Sequence, residues 1–313
     1  MDSKNQSHEI YLEKLNKFVP KNLVIEEVTE DKKKLVNDFL KSRKNLEFNF
    51  TEINPHFGND WNYKDYPYGN VMKNTKNNEI VGFLATIYSR RKINNKDYTC
   101  CNLAHFYIEK EFRIYAYAFF LHLLKRENTT IYSHTPKDTI VNMYRKLNFE
   151  IQKMKYTIGF GINFNSIFSK NFSRFKIIKD KNEIKNILNL NDKKIFEDHN
   201  KYNCSHFVIL DNKKILDPCY FVVKKIKKYQ IKIIDILYIS NLQEYSCFAP
   251  EIFTKISFLF KTFLIGQRYF KEEEKLKNNF SFFSQTVEKY VPIKRYKDFY
   301  VFDTLYSDYV LFD

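Results

Sequence analysis

The sequence predicts an α+β protein in which a mixed β-sheet carries helices and in which one order of elements occurs twice. Three segments with strand patterns and turn residues between them, 68–73, 79–92 and 98–108, predict an antiparallel meander. Alternating helix and strand patterns follow up to about residue 164. Helices, a meander, a long helix and terminal strands then recur, so we predict a structural duplication without readable sequence identity.

The length and composition fit a folded chain of two domains. The 313 residues allow two domains of about 150 residues each. A hydrophobic content of 44% with only 6 Gly and 7 Pro excludes a disordered or linker-like chain. We expect a first domain at 1–164, a linker at 165–176, where the sequence has little regularity, and a second domain at 177–313.

The first elements are predicted from periodicity and caps. Residues 7–18 are expected to form a leading helix and residues 23–28 a strand. Thr29 then suits the N-cap of a helix that continues through Ser42, because apolar residues recur at helical spacing behind it. The stretch from 45 to 70 is rich in aromatic and turn residues, and a loop of that length in a compact domain is usually functional.

The helix after the predicted strand 130–134 has the clearest end signals. Thr135 is the expected N-cap, Pro136 the first helical residue and Asp138 the partner in a capping box. Asn148 suits the left-handed residue that ends such a helix, and a strand is expected to follow it directly.

The sequence of the second half predicts strands and helices in an order comparable to that of the first half. In chain order these are a strand at 174–178, helical pieces at 181–200, strands at 204–210, 215–226 and 230–240, a helix at 249–264, a strand at 267–271, a helix at 283–290 and a strand at 299–312.

The net charge of +15 raises the question of an anionic partner. The lysines are scattered over the chain, whereas a nucleic-acid footprint would be a stripe, and an AT-rich genome produces the same lysine excess. We therefore do not predict a dedicated nucleic-acid role.

The cysteines and the apolar runs indicate the cellular compartment of the protein. The five Cys residues are odd in number and match no metal or disulfide spacing, which favours a reduced, cytoplasmic protein. The first ten residues lack a signal-peptide pattern, and the longest uncharged apolar run, 114–124, is too short to cross a bilayer. We expect no membrane span.

Two motifs at fixed places in the first half resemble the GNAT superfamily of acetyl-coenzyme A dependent N- and O-acetyltransferases. In the family motif [RQ]-x-x-G-x-[GA], Arg113 matches the first position, Ala116 stands in place of the glycine and Ala118 matches the last position. The second signature, a helix that ends in lYxxxGF, is matched by Tyr144 and Phe149 with their neighbours Met143 and Asn148. The resemblance covers roughly residues 23–164 and implies a GNAT-like acyltransferase fold, with a degenerate second copy at 177–313.

The resemblance implies acetyl-coenzyme A as co-substrate, with its pyrophosphate at the start of the helix. The first amides of a helix lack internal partners and carry the positive end of the helix dipole, and Ala is the next smallest residue after Gly for a close approach. The alternative is a turn that merely begins a buried helix. The expected coenzyme-binding residues are Phe106, Tyr107, Ile108, Arg113, Ile114, Tyr115, Ala116, Tyr117 and Ala118.

The catalytic groups are likewise implied by the resemblance. Tyr144 stands where family members use a tyrosine to donate a proton to the departing coenzyme A thiolate, although an amphipathic helix would also place such a ring in the core. His105 lies on the strand where the family often places the base, and His134 lies at the end of the next strand. A chain of water molecules is a third route for the proton.

The acceptor side is predicted from aromatic residues. Trp61, Tyr66 and Tyr68 belong to the loop that would cover this side in a GNAT fold, and such rings suit a sugar acceptor or else plug the sheet. His199, Cys204 and His206 fit no zinc spacing, so no metal is expected.

Three functions remain open from the sequence. The first is transfer of an acetyl group to an amine or hydroxyl of a small acceptor, such as a sugar or nucleotide-sugar of surface polysaccharide synthesis. The second is an aminoacyl-tRNA dependent peptidyl transferase with two GNAT-like halves, which the positive charge would suit. The third is a non-catalytic scaffold, which the missing glycines would explain. The second half lacks an Arg-plus-small-residue turn before its long helix, so we expect it to be a scaffold or an acceptor lid.

Overall fold

The structure is a computed structural model with two compact units. It describes residues 17–43, 56–58, 61, 65–93, 96–228, 230–270, 284–294 and 303–311. The first unit draws its residues from Met1–Ile151, Val291–Tyr300 and Tyr306–Phe312, and the second from Gln152–Tyr290 and Val301–Leu305.

The described strands, in chain order, are β1 (Leu23–Glu27), β2 (Gly69–Asn74), β3 (Glu79–Ile93), β4 (Lys96–Ile108), β5 (Thr129–Tyr132), β6 (Glu150–Phe160), β7 (Phe175–Ile178), β8 (Ser205–Asp211), β9 (Cys219–Lys228), β10 (Ile231–Ile239), β11 (Leu264–Tyr269) and β12 (Ser284–Lys294).

The described α-helices are α1 (Lys33–Lys41), α2 (Tyr117–Leu124), α3 (Asp138–Lys146), α4 (Phe164–Ile167), α5 (Lys181–Ile187), α6 (Leu190–His199), α7 (Leu242–Tyr245), α8 (Ala249–Phe260) and α9 (Asp308–Leu311). Short 3-10 helices at Glu30–Lys32, Lys110–Tyr115 and Ser246–Phe248 precede α1, α2 and α8. No helix within the described ranges is both long enough and apolar enough to cross a membrane.

In the first unit, β1 to β4 form the antiparallel meander that the sequence predicts. β5 then pairs parallel to β4, because α2 carries the chain back along the sheet between them. The last residues of β12 close this unit's sheet by pairing antiparallel with β5, Ile293 opposite Tyr132.

The second unit has the same order of strand directions. β7, β8, β9 and β10 pair antiparallel, β11 pairs parallel to β10 after α8, and β6 pairs antiparallel with β11. This recurrence is what the predicted structural duplication requires. The two units divide between Ile151 and Gln152, inside β6, whereas the sequence places a linker at 165–176.

The core of the first unit is aromatic and joins α2 to the sheet. Phe119 and Phe120 lie edge-on to Phe106 of β4, at ring distances of 5.5 and 5.7 Å. Phe120 also contacts Tyr144 of α3, at 5.1 Å. Each buried phenylalanine stabilises such a core by about 1.5–3 kcal/mol, so this cluster holds α2 and α3 on the same sheet.

The predicted ends of α1 and α3 can be compared with the helix caps in the structure. The end of α3 is confirmed: Asn148 is left-handed (φ 60°), and the amide of Phe149 donates to the Tyr144 carbonyl at 3.0 Å. The start is wrong, because α3 begins at Asp138 and the Thr135 hydroxyl donates to the Asp308 carboxylate instead. Thr29 does lie at the N-cap position of the 3-10 turn Glu30–Lys32 that leads directly into α1, but its hydroxyl donates to Asp31 and does not cap a backbone amide.

Two elements near the C-terminus differ from the prediction. The predicted helix at 283–290 is extended from Ser284 on, and the β-branched and aromatic residues of β12 suit that backbone. The predicted strand at 299–312 contains the helix α9, which Ser307 begins by accepting a hydrogen bond from the Tyr309 amide (3.2 Å). The contact that explains β12 is distant in sequence, its pairing with β5, whereas α9 begins at a local cap.

The remaining predicted elements of the second half are confirmed to within a few residues, except that α8 ends early. It ends at Phe260 because Lys261 adopts a left-handed conformation (φ 52°), which lets β11 begin at Leu264. Most of the predicted leading helix at 7–18 and much of the aromatic stretch 45–70 lie outside the described residues.

Candidate functional site

A β-bulge shapes β4 at the centre of the first unit. Phe106 lies opposite Leu84 and Leu103 lies opposite Thr86, so β4 has two residues, Ala104 and His105, where β3 has one. A bulge locally bends its strand and turns side chains away from the regular alternation. The bulge therefore determines the direction of the His105 and Phe106 side chains.

Beside this bulge, β4 and β5 separate. Their parallel pairing ends at Asn102 and Tyr132, whereas β4 continues to Ile108. The chain after β5 turns away, because the amide of Ser133 donates to the Pro292 carbonyl of β12 at 3.2 Å. The Ser133 hydroxyl donates to the Leu103 carbonyl at 3.1 Å and so ties this turn back to β4. The separation leaves an opening along the bulged part of β4.

A cavity of about 230 Å³ occupies this opening. Its lining includes His105 and Phe106 from β4, Ser133 after β5, Tyr144 from α3 and Asp308 from α9. Three of these were predicted as site residues from the sequence. Ser133 and Asp308 were not.

Tyr144 is buried at this cavity with its ring fixed by aromatic neighbours. The ring contacts Phe120 at 5.1 Å and Phe149 at 5.0 Å. Burial raises the pKa of the Tyr144 phenol well above its ordinary value, and a hydrogen bond with the Ser133 side chain offsets this only in part. The phenol is therefore protonated at neutral pH, and it can donate a proton but not accept one.

The two candidate bases differ in position. His105 is half-buried and lines the cavity. His134 is fully buried between aromatic rings, 5.0 Å from Tyr132 and 6.2 Å from Tyr309, and it does not line the cavity. The structure thus brings His105, and not His134, to the same cavity as Tyr144.

Asp308 is the carboxylate of this cavity and comes from the far end of the chain. Its Oδ1 accepts a hydrogen bond from Asn102 Nδ2 at 3.3 Å, and its Oδ2 accepts one from the Thr135 hydroxyl. The sequence prediction missed it because 299–312 was assigned to a strand. Its signal was the Ser-Asp pair at 307–308, which is typical of a helix start.

The predicted phosphate turn has a different backbone from the one expected. A 3-10 helix begins at Lys110 and leads directly into α2, because Ala116 has right-handed helical angles (φ −52°, ψ −34°). The Ala116 amide donates to the Arg113 carbonyl at 3.1 Å. The amides of 114–116 therefore lie at the end of a 3-10 turn, and those of Tyr117 and Ala118 belong to the first residues of α2.

The side chains of this turn fall into two groups. Arg113 and Ile114 are exposed, and Arg113 Nε donates weakly to the Ile108 carbonyl at 3.5 Å. The other predicted residues of the turn, Tyr115, Ala116, Tyr117 and Ala118, pack against the core. Tyr107 of β4 lies against the Phe39 ring of α1 at 5.8 Å.

The three predicted acceptor-binding aromatics do not line the cavity. Trp61 is buried against the Tyr306 ring at 5.4 Å, and Tyr66 stacks on Tyr88 at 4.6 Å. Tyr68 donates to Glu30 at 3.1 Å, and its ring lies under the Lys33 ammonium. In these described positions all three have packing partners within the first unit.

The second unit has its own opening where its parallel pair ends. The pairing of β10 with β11 stops at Ile236 and Gln267, and β10 has a bulge at Leu237. A cavity of about 140 Å³ lies there, with Arg268 and Asp303 in its lining. Sequence reasoning gave no indication of it.

The histidines of the second unit serve its packing. His199 bonds to the carbonyls of Ile195 and Leu305, at 2.8 and 3.1 Å, and His206 bonds to the Tyr220 hydroxyl at 2.7 Å. The described residues contain no group of three or more His, Cys, Asp or Glu side chains placed to hold a metal ion.

Comparisons with known proteins agree on the fold. No protein-family model and no curated protein matches the sequence. Solved structures do match. A GCN5-related N-acetyltransferase from Kribbella flavida has a TM-score of 0.56 and 10% identity, over 87% of this chain and 71% of its own. One from Anabaena variabilis has a TM-score of 0.52 and 10% identity, over 87% and 72%.

A third match is the glucosamine N-acetyltransferase region of a fungal multi-domain β-N-acetylglucosaminidase. It has a TM-score of 0.56 and 10% identity, over 88% of this chain and 38% of its own. These likenesses show that the protein has the fold of the GNAT superfamily, as the two sequence motifs imply.

Proposed function

We propose that the first unit transfers an acetyl group from acetyl-coenzyme A to an amine of a small acceptor. The observation that carries this proposal is the cavity where β4 and β5 separate, with Tyr144, His105 and Asp308 in its lining. An acid, a base and an anion in one opening are what an acyl transfer to an amine requires. The GNAT fold supports the assignment of this reaction class.

The reaction follows from the protonation states of these groups. His105 takes one proton from the ammonium group of the bound acceptor. The neutral nitrogen then attacks the thioester carbon, and the carbonyl oxygen becomes negative while backbone amides of the bulged strand stabilise it. The C–S bond then breaks, and Tyr144, which its burial keeps protonated, gives its proton to the departing thiolate. The nitrogen loses its second proton as the amide forms, and this proton returns through solvent to the Tyr144 phenolate.

Asp308 favours an amine over a hydroxyl. Amines are cationic at neutral pH, and a carboxylate held by Asn102 and Thr135 attracts and orients a cation within its cavity. One of the matching structures is a glucosamine N-acetyltransferase. An amino sugar, free or nucleotide-linked, is therefore the first acceptor to test.

The coenzyme site is proposed at the helical segment that follows β4. Arg113 is exposed there and can pair with a diphosphate, as the family motif implies. Phe106 lines the cavity and would contact the thioester end. Four other residues of the motif pack against the core and would position the backbone rather than touch the coenzyme, namely Tyr115, Ala116, Tyr117 and Ala118.

The test is acetyl-coenzyme A binding by calorimetry on the native protein and on Arg113→Ala. An Arg90→Ala variant, which removes an exposed arginine of β3, is the matched control. We expect binding that Arg113→Ala weakens and Arg90→Ala does not. Coenzyme at about 100 times its Kd should also stabilise the fold by about 2.7 kcal/mol.

Absence of binding would remove the acetyltransferase function and leave the fold unaffected. Salt-sensitive tRNA binding without coenzyme binding would then favour a peptidyl transferase that uses aminoacyl-tRNA. Binding of neither ligand would favour a non-catalytic scaffold.

A further inference from the structure

One end of the second unit carries an exposed group of phenylalanines. Phe160, Phe164, Phe168, Phe258 and Phe263 have exposed fractions of 41, 74, 88, 50 and 66%. We call these five residues the phenylalanine patch. Most phenylalanines are buried, so five exposed ones in the same part of a unit mark a surface that contacts something apolar.

The strand register brings these residues together. β10 and β11 run parallel and begin at Ile231 and Leu264, and their antiparallel neighbours β9 and β6 end at Lys228 and Phe160. All four strand ends therefore lie on the same end of the sheet. The Gly161 amide donates to the Phe263 carbonyl at 2.8 Å, which joins the two loops that hold Phe160 and Phe263.

Helix α8 connects the rest of the patch. The Thr254 hydroxyl bonds to the amide of Asn163 and to the hydroxyl of Ser166, both at 2.9 Å, and so holds the 163–168 segment on α8. Phe258 follows Thr254 by one helical turn and lies on the same face. Phe172, a few residues after the 163–168 segment, also contacts α8, because its ring lies 6.4 Å from that of Phe258.

The described segments that build the patch are basic, and Glu251, which accepts a hydrogen bond from Ser169 beside them, is buried. The three segments that build it, 160–172, 224–234 and 252–264, contain eight Lys residues and no Asp or Glu. Lys227, Lys228, Lys232 and Lys261 are exposed at the same strand and helix ends as the patch. Lys225, also exposed, lies 5.3 Å from the Phe260 ring centroid. The surface is therefore apolar at its centre and cationic around it.

From this combination we propose that the phenylalanine patch docks the protein on an anionic lipid bilayer. Phenylalanine rings and the exposed Ile231 enter the boundary between headgroups and acyl chains, while lysines pair with anionic headgroups. A second copy of the same patch is a poor partner, because two lysine-rich surfaces would face each other. A double-stranded nucleic acid is a poorer fit, because its surface is lined with phosphates and offers no apolar layer to cover the phenylalanine rings.

The test is co-flotation with vesicles of phosphatidylcholine that contain phosphatidylglycerol, against vesicles of phosphatidylcholine alone. Native protein should float with the anionic vesicles and leave them at about 1 M salt, where the Debye length is about 3 Å. The variant Phe164→Ser/Phe168→Ser should bind at least about tenfold more weakly, because two exposed rings no longer leave water.

The matched control removes exposed apolar side chains elsewhere in the same unit. Leu190 and Ile215 are 87 and 70% exposed, and Ile215 lies in the loop before β9, at the other end of that strand. Leu190→Ser/Ile215→Ser should bind as the native protein does. A second variant, Lys227→Glu/Lys228→Glu, should lose binding to anionic vesicles through charge alone. Thermal melting of each variant distinguishes loss of binding from loss of fold.

Several results would overturn the proposal. Native protein that floats with neither kind of vesicle, or Phe164→Ser/Phe168→Ser that binds like the native protein, would exclude a lipid surface. Concentration-dependent dimers that the same variant disrupts, without vesicle binding, would assign the patch to a second copy. RNA binding that the variant removes, again without vesicle binding, would assign it to nucleic acid.

Discussion

Replacing Tyr144 by Phe separates its proposed chemical role from its packing role. The substitution keeps the ring and its contacts with Phe120 and Phe149, and it removes only the hydroxyl that bonds with Ser133. The loss of one hydrogen bond changes stability by about 0.5–1.5 kcal/mol. The variant should therefore fold, bind acetyl-coenzyme A as the native protein does, and melt only slightly earlier.

The effect on turnover should be much larger. A general acid contributes typically 10²- to 10⁴-fold, so Tyr144→Phe should lower kcat by about a hundredfold or more. Because burial raises the pKa of Tyr144, the native enzyme should show no loss of activity from its ionisation up to about pH 10, the ordinary value for a tyrosine.

The assay is release of the coenzyme A thiol, followed with a thiol reagent, with amino sugars as acceptors. Tyr132→Phe is the matched control, because Tyr132 is another buried tyrosine of the first unit and its hydroxyl makes a long bond (3.5 Å) to the Tyr306 carbonyl. It should have a similar stability and full activity.

The reasoning fails if Tyr144→Phe keeps native kcat, because the thiolate would then leave without this proton. It also fails if both tyrosine variants lose activity equally, because the loss would then reflect packing.

Further predictions concern the acceptor, the sheet and acid stability. Asp308→Asn should raise KM for an amine acceptor about tenfold, as loss of one ion pair implies, with coenzyme binding unchanged by calorimetry. Gly266→Ala should lower the free energy of unfolding, measured with urea, by about 1–3 kcal/mol, since the added Cβ would lie 2.4 Å from the Tyr156 hydroxyl. Gly82→Ala should lower it less, because the nearest atoms there are 3.2 Å away. Burial lowers the pKa of His206 from 6.5 to about 4. Between these pH values the unfolded state binds one more proton than the folded state, so the free energy of unfolding should fall as the pH drops from 6.5 to 4. In urea titrations His206→Gln should flatten this dependence on pH, and an unchanged slope would show that His206 is not its source.

The parts of the fold that local sequence decides were predictable. The meander of β2, β3 and β4 follows from strand residues separated by turn residues, and the left-handed Asn148 at the end of α3 follows from the common way helices end. Tyr144 and His105 were found because they lie in or beside local motifs whose spacing is visible in the sequence.

The parts that depend on distant contacts were not predictable. Thr135 is a good N-cap by local rules, yet its hydroxyl is taken by Asp308 from the far end of the chain. The segment 283–290 is predicted as a helix, yet β12 continues through it to Ile293 and Lys294, which pair with β5, and the Pro292 carbonyl accepts a hydrogen bond from the Ser133 amide. Asp308 is part of the candidate site for the same reason.

The sequence by itself therefore determined the class of fold and the order of its first elements, because each depends on periodicity and caps within a short segment. The residues on α3 and β4 that face the proposed chemistry follow from the resemblance of their local motifs to the GNAT superfamily. The tertiary structure decided which of these residues share a cavity. It did so through the bulge in β4, the separation of β4 from β5 and the return of the C-terminal segment to the first unit, and these depend on which strands pair.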